Sequence, residues 1–539
     1  MSSRSTEKPC VLGFDQFGFA VFRRHCDKWK QEHRSHEYSY PNVSASKLES
    51  WQKMLSNWNE AGASCMEKIS SILSFFFFSK KPAPLVKSRI SLKLRLNKIH
   101  VFLEDGVPIK LRGRLWKCLL GSDLAKQSSS HTYQEYVEEL RSQLARLGVN
   151  EYGVQVAIST LENADKEKAV TDGTAPNLTA NRNPEITIET LRQIVLDVER
   201  SFPTHCSLMG KNPEAKEGQA KLFRILSAYA KYNPQIGYCQ GMSYIAAMLL
   251  MNMQEEDAFW ALVVLLEKPK YLAGFYEHSL DTIQRHAKIF QQLLKHRMPC
   301  LWQHMENLEV APLLFITTWF LTLFTSLPCW DSVLAIWDLI ILDGINVIFS
   351  TGLCILQLLE PRLLAMSDVS VLLPTLLRIP VDVSRYNVLV PALWITKVHK
   401  WELDCMQSVV LEEEEEALLS SGKHSIQAAT VENTTKLNGK KAPDTKGAEG
   451  KRTTRSSSSI GRGAGQQETL KDTLTKMLKI ARCYLQDLRH LSEGYKETPS
   501  QEKTLFIPGH SKRRSTTLNN KGQARRGISG RGRIEKTSR

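Results

Sequence analysis

The segment Asn233-Pro-Gln-Ile-Gly-Tyr-Cys-Gln-Gly241 limits this chain more than any other, because it breaks a helix between two runs that read as helices. Pro234 disfavours the α region for Asn233 and so closes the apolar-periodic run Ala220–Tyr232. Gly237 and Gly241 then bracket Tyr238, Cys239 and Gln240, and the apolar run Met242–Met253 follows. The pattern predicts a tight turn that presents one amide side chain from a helix buried on nearly every side. Upstream, Ile188, Leu191, Ile194, Val195 and Val198 recur at helical spacing. On that helix Asp197 and Arg200 are three apart and share a face, so the carboxylate can hold the guanidinium in one orientation. Amphipathic segments continue around Glu255–Glu267, Leu280–Lys295, Val310–Leu327, Ser332–Leu342 and Val347–Met366, while strand signals are scarce.

Taken singly, an Asp/Arg pair at this spacing is usually a solvated salt bridge worth a few tenths of a kcal/mol. A Tyr-x-Gln between glycines is usually an ordinary loop. Together, an arginine and a glutamine on separate rigid supports can complete a nucleotide-hydrolysis site. The guanidinium neutralises charge building on a transferring phosphoryl group, and the amide aligns the attacking water.

At these residues the sequence resembles the TBC-domain family of Rab GTPase-activating proteins, whose two signatures have the forms I-x-x-D-x-x-R and Y-x-Q. Gly106-Val-Pro108 with Leu111-Arg-Gly-Arg-Leu-Trp116 looks like the family's opening segment. Glu256-Asp-Ala-Phe-Trp260 resembles its next helix, and Ile336-Trp-Asp338 with Asp343-Gly344 its C-terminal lobe. The resemblance covers about residues 101–380 and implies an all-α fold, a two-lobed helical TBC domain. It implies an arginine finger at Arg200 and a glutamine finger at Gln240, supplied in trans to a Rab-family small GTPase. Asp197 would orient Arg200, Tyr238 would set the loop and touch the partner, and Gly241 would shape the turn. The protein would be a GTPase activator rather than a hydrolase, with no metal or cofactor of its own, since GTP and Mg travel with the partner. The alternative is a catalytically silent TBC scaffold that binds a Rab or another partner through the same face. Ser201 stands where the family commonly has Thr, which keeps the hydroxyl. Phe202 and Pro203 read as pins for the chain as it leaves the arginine helix. Cys239 reads as buried and inert, His205 as a satisfied polar residue, and Arg112 and Gly113 as shaping the start of the domain without chemistry.

The organisation expected along the 539 residues starts with a variable, partly helical N-terminal segment over 1–100. There Phe14-Asp-Gln-Phe-Gly-Phe19 and Trp51–Trp58 resemble the family's helical lead-in, and Phe75–Phe78 reads as a docking helix. The TBC domain follows over 101–385, with a helix at Tyr133–Leu147 and a polar insertion near 150–183. A C-terminal helix and acidic run occupy 386–420, with Tyr386–Cys405 as one helix. The basic tail over 421–539 reads as disordered, apart from a possible amphipathic helix at 469–492 carried by the stripe Leu470 to Leu488.

Charge is uneven. The tail holds 26 Lys and Arg against 10 Asp and Glu, leaving 45 against 46 in residues 1–420, so any attraction to an acidic surface belongs to the tail. Arg525-Arg-Gly-Ile-Ser-Gly-Arg-Gly-Arg533 has no interleaved aromatic residues, which favours peripheral contact with an anionic membrane over specific nucleic-acid readout. The eleven cysteines are scattered without a Cys-x-x-Cys pair, which argues against a disulfide framework and a zinc module. Val310–Trp330 runs twenty-one residues without a charge, but Pro312 and Pro328 bound it, and it reads as core rather than a membrane span. The expected setting is cytoplasmic, with peripheral association at endomembranes.

Overall fold

The helices begin and end where backbone chemistry directs. Thr132 opens Tyr133–Arg146 through a reciprocal capping box with Glu135. Asn212 caps Pro213–Tyr232, with Pro213 in the first turn where its missing N–H costs nothing. Gly121, in the left-handed region at φ 69°, stops Ile109–Leu120 and turns the chain into Ser122–Ser128. This computed structural model describes residues 11–22, 34–56, 98–154, 185–267, 272–276 and 281–415. Most of the predicted insertion, the Phe75–Phe78 segment, the basic tail and the Leu470–Leu488 stripe fall outside them.

Among the described residues the architecture is helical apart from one strand pair, and it comes in two groups. In the first, Pro213–Tyr232 packs against Tyr133–Arg146, Ile188–Arg200, Met242–Asn252 and Glu255–Leu266. In the second, Ile345–Leu364 packs against Pro299–Asn307, Leu313–Leu321, Trp330–Asp343 and Tyr386–Ile395. Ile109–Leu120 contacts Glu255–Leu266 on one side and Trp330–Asp343 on the other, and one buried apolar cluster runs through both groups. Among the described residues, Ile345–Leu364 is the helix long and apolar enough to cross a membrane, and 67% of its most apolar window is buried by the rest of the protein.

A buried ion pair joins the groups. Arg112 is fully buried and donates from Nε to Asp338 at 3.1 Å. Trp116 Nε1 donates to the same carboxylate at 2.7 Å, and Arg112 Nη2 reaches the Tyr40 hydroxyl at 2.6 Å. One residue along, Gly113 lets its helix lie against the end of Met242–Asn252. A Cβ there would stand 2.0 Å from the Asn252 carbonyl oxygen, so no other residue fits without moving a helix.

Several expectations are corrected. Residues 14–19 are not helical. Val11–Phe14 and Ala20–Phe22 pair antiparallel, because the Asp15 carboxylate accepts from the Phe17 and Phe19 amides and Gly18 takes φ 89°, which closes a turn instead of a helix. The second lead-in motif is helical over 45–56, and Trp51 is buried there. Val310–Leu327 is not one helix. Leu313–Leu321 is nine residues long and ends before a bend in which Leu323 and Phe324 take φ of 46° and 60°. Its residues Phe315, Ile316, Trp319 and Phe320 are buried, as a core segment requires. Tyr386–Cys405 divides into Tyr386–Ile395 and a helix over 400–415, with Trp394 half-buried and Trp401 69% exposed.

Removing Arg112 leaves the Asp338 carboxylate uncompensated in a dry interior. Arg112→Ala is expected to cost about 3–5 kcal/mol of stability, seen as a lower midpoint in chemical denaturation. Arg112→Ala with Asp338→Ala should cost less than the two single changes summed.

Candidate functional site

Ile188–Arg200 is the helix its periodicity predicts, capped by Thr187 and with Leu191, Ile194, Val195 and Val198 buried. Its last turn carries Asp197 inward, 4% exposed, and Arg200 at the edge, with the arginine side chain 16% exposed. Arg200 Nη2 donates to Asp197 Oδ1 at 2.5 Å. The helix stops here because Ser201 turns its hydroxyl back onto the Asp197 carbonyl oxygen at 2.6 Å and Phe202 enters the left-handed region at φ 47°.

The glutamine turn is built as its glycines predict. Tyr232 ends its helix, Gly237 takes φ 60°, and Gly241 takes φ 105° directly before Met242–Asn252. Gly241 is constrained twice. A Cβ would also stand 3.0 Å from the Leu321 carbonyl oxygen, which Tyr276 holds by donating its hydroxyl at 2.8 Å. The helix that follows is apolar around most of its circumference and buries Met242, Ile245, Ala246, Ala247, Met248 and Leu249. Gln240 is exposed on the turn it supports.

The two elements are joined through one carboxylate. The Tyr238 hydroxyl donates to Asp197 Oδ2 at 2.5 Å, while Asp197 Oδ1 takes Arg200. Burial, and then the Asp197 charge beside it, push the Tyr238 hydroxyl well above its ordinary range, so it remains a donor. Asp197 therefore ties the arginine directly to the turn that carries Gln240 two residues later. Tyr238 is 6% exposed, so its ring sets the loop from inside. Cys239 is half-buried, and burial raises its thiol above the ordinary value.

The pinning role that the sequence suggests for Phe202 gains its contacts here. Its ring lies 5.5 Å from Tyr244 on the glutamine helix, 5.3 Å from Trp330 and 6.3 Å from Phe19, all edge-on. His205 is a satisfied polar residue, 7% exposed. Its Nε2 lies 3.0 Å from the Phe17 carbonyl oxygen and its Nδ1 2.8 Å from Ser207 Oγ. A carbonyl at Nε2 requires Nε2–H, which leaves Nδ1 to accept from Ser207. Burial lowers its pKa from 6.5 to about 4. Among the described residues no group of His, Cys, Asp and Glu is arranged to hold a metal ion.

Tyr238→Phe removes a buried donor and leaves one Asp197 oxygen without it, at an expected cost of about 1–3 kcal/mol in a denaturation experiment. For His205, the unfolded chain takes a proton near pH 6.5 and the folded chain only near pH 4. Between those values the unfolded state binds more protons, so stability is expected to fall as pH drops through that window. A thermal-unfolding series should show the fall, and His205→Gln should flatten it.

Residues 109–364 match the family model of the Rab-GTPase-TBC domain. Carabin of Mus musculus is 32% identical over 265 residues, which is 49% of this chain and 48% of that protein. TBC1 domain family member whacked of Drosophila melanogaster is 32% identical over 259 residues, which is 48% of this chain and 58% of that protein. A crystal structure of a Chlamydomonas flagellar RabGAP TBC domain aligns over 66% of this chain and 97% of its own, at 22% identity and a TM-score of 0.38. The chain thus spans about half the length of these two relatives. By that match, this chain carries a Rab-GTPase-TBC domain across residues 109–364.

Proposed function

We propose that this protein accelerates GTP hydrolysis on a Rab-family small GTPase by supplying Arg200 and Gln240 to the partner's nucleotide site. The observation that carries the reading is the shared Asp197 carboxylate, which fastens the helix end bearing Arg200 to the turn bearing Gln240. Two groups held against one anchor enter a neighbour's pocket as a unit, and their relative placement costs no reorganisation during reaction.

Arg200 approaches the γ-phosphoryl oxygens as negative charge moves onto them and stabilises that charge. Asp197 aims the guanidinium, and the hydrogen bond from Tyr238 draws part of the carboxylate's charge away, leaving Arg200 freer to engage phosphate. Arg200 Nε is buried and has no hydrogen-bond partner in the unbound protein, so one donor of the group remains uncommitted. Gln240 orients the attacking water. Gly241 fixes the angle at which the amide leaves the turn. GTP and Mg²⁺ arrive on the partner.

Arg200→Ala is expected to lower stimulated hydrolysis on the order of a thousandfold, read as phosphate release across a panel of purified Rab GTPases. Gln240→Ala should lower it strongly, and the cooperative unfolding transition should be kept in both. An Arg200→Ala chain that stimulates a responsive GTPase as well as the parent does would overturn the assignment.

A further inference from the structure

We infer that the N-terminal β-hairpin is a positioning element for Arg200, with Phe19 as the residue that transmits its hold. The inference rests on the finger assignment and extends it to residues that precede the matched domain, which begins at residue 109.

The chain leaving the arginine helix needs bracing from outside. Phe202, two residues past Arg200, occupies the left-handed region at φ 47°, which a bulky residue keeps only when its surroundings over-determine it. Pro203 and Thr204 follow, and pairing with the hairpin begins at once. The Ala20 amide donates to the Thr204 carbonyl at 2.9 Å, the Cys206 amide donates to the Gly18 carbonyl at 2.8 Å, and Phe19 bridges antiparallel to His205. Residues 204–206 are in effect a third strand beside the hairpin.

Side chains repeat the grip. Phe19 is fully buried, with its ring 6.3 Å from Phe202, 5.1 Å from His205 and 4.8 Å from Trp330. The Arg34 guanidinium caps this cluster, 4.1 Å from the centre of the Phe19 ring and 4.9 Å from that of Trp330. The hairpin is itself held in shape at its turn. Asp15 accepts from the Phe17 and Phe19 amides and the Tyr38 hydroxyl, and its other partner is His36 Nδ1 at 2.8 Å. Gly18 is the point of closest approach. A Cβ there would meet His205 Nε2 at 2.6 Å.

These contacts run in series from Asp15 and Gly18 through Phe19 to Phe202, and Phe202 adjoins Ser201, whose hydroxyl closes on the Asp197 carbonyl. Loosening the hairpin lets the helix end shift, and a displacement of the order of an ångström at a catalytic group costs up to about a hundredfold in rate. Partner binding, spread over a wider surface, changes little.

The test uses the full chain and the small GTPase that responds in the panel. Single-turnover hydrolysis is followed against activator concentration, which separates the maximal rate from half-saturation. Phe19→Ala and Gly18→Ala are each expected to lower the maximal rate about tenfold or more while half-saturation stays within about twofold. Phe19→Leu, which refills the site, should recover most of the rate. Gly18→Ala keeps the apolar core and decides the matter if Phe19→Ala does not fold. A normal maximal rate in folded Gly18→Ala and Phe19→Ala chains overturns the inference, as does a rise in half-saturation that accounts for the whole loss. Arg200→Ala measured alongside separates the two proposals. If it still stimulates, the finger assignment itself falls; if it is inactive while Phe19→Ala is fully active, only the hairpin's role falls.

Discussion

A carboxylate that is 4% exposed has surrendered most of its hydration and must recover it from protein donors. Asp197 does so with one oxygen on Arg200 and the other on Tyr238. The rest of the site depends on this sharing. The helix contributes the carboxylate because Asp197 falls on its buried face, and the loop contributes the hydroxyl because Gly237 and Gly241 turn Tyr238 inward. Gln240 is carried outward as a result. Satisfying one buried charge thus fastens the end of the helix bearing Arg200 to the turn bearing Gln240.

Around this anchor the body supplies stiffness from three directions. Met242–Asn252 is buried on most sides and gives the glutamine turn a fixed base. Tyr276 holds the Leu321 carbonyl against Gly241, so the second helical group supports the loop from behind. Phe202 meets Tyr244 and Trp330, linking the exit of the arginine helix to both groups. The Arg112–Asp338 pair keeps those groups in register. A buried ion pair is weak evidence of net stability, since desolvation offsets much of its attraction. Its value here is geometric, because it fixes how Ile109–Leu120 sits against Trp330–Asp343.

How much could be read in advance depended on the range of the interaction involved. The arginine helix, the break at Asn233-Pro234, the glycine-bracketed turn and the buried helix after it were all legible, because periodicity and turn chemistry act within a few residues. The resemblance to a helical lead-in failed at Phe14–Phe19, where hydrogen bonds to Asp15 and pairing with residues 204–206 make a hairpin. Periodicity overreached at Val310–Leu327 and Tyr386–Cys405, which divide where the chain must bend to pack. Arg112 illustrates the opposite case. Its motif was visible while its partner, 226 residues away, was not.

The amino-acid sequence by itself determined a mostly helical chain, the spacing of Asp197 and Arg200 on one helical face, and a glycine-bracketed turn carrying Gln240. Each of these is decided by local backbone preference or by residues within one or two helical turns. Only the tertiary structure decided that Tyr238 closes onto Asp197, that Phe202 is gripped by Phe19, and that Arg112 finds Asp338. Those choices are made through space, by burial that obliges each polar group to find partners among distant residues, and no pattern along the chain encodes which residues those will be.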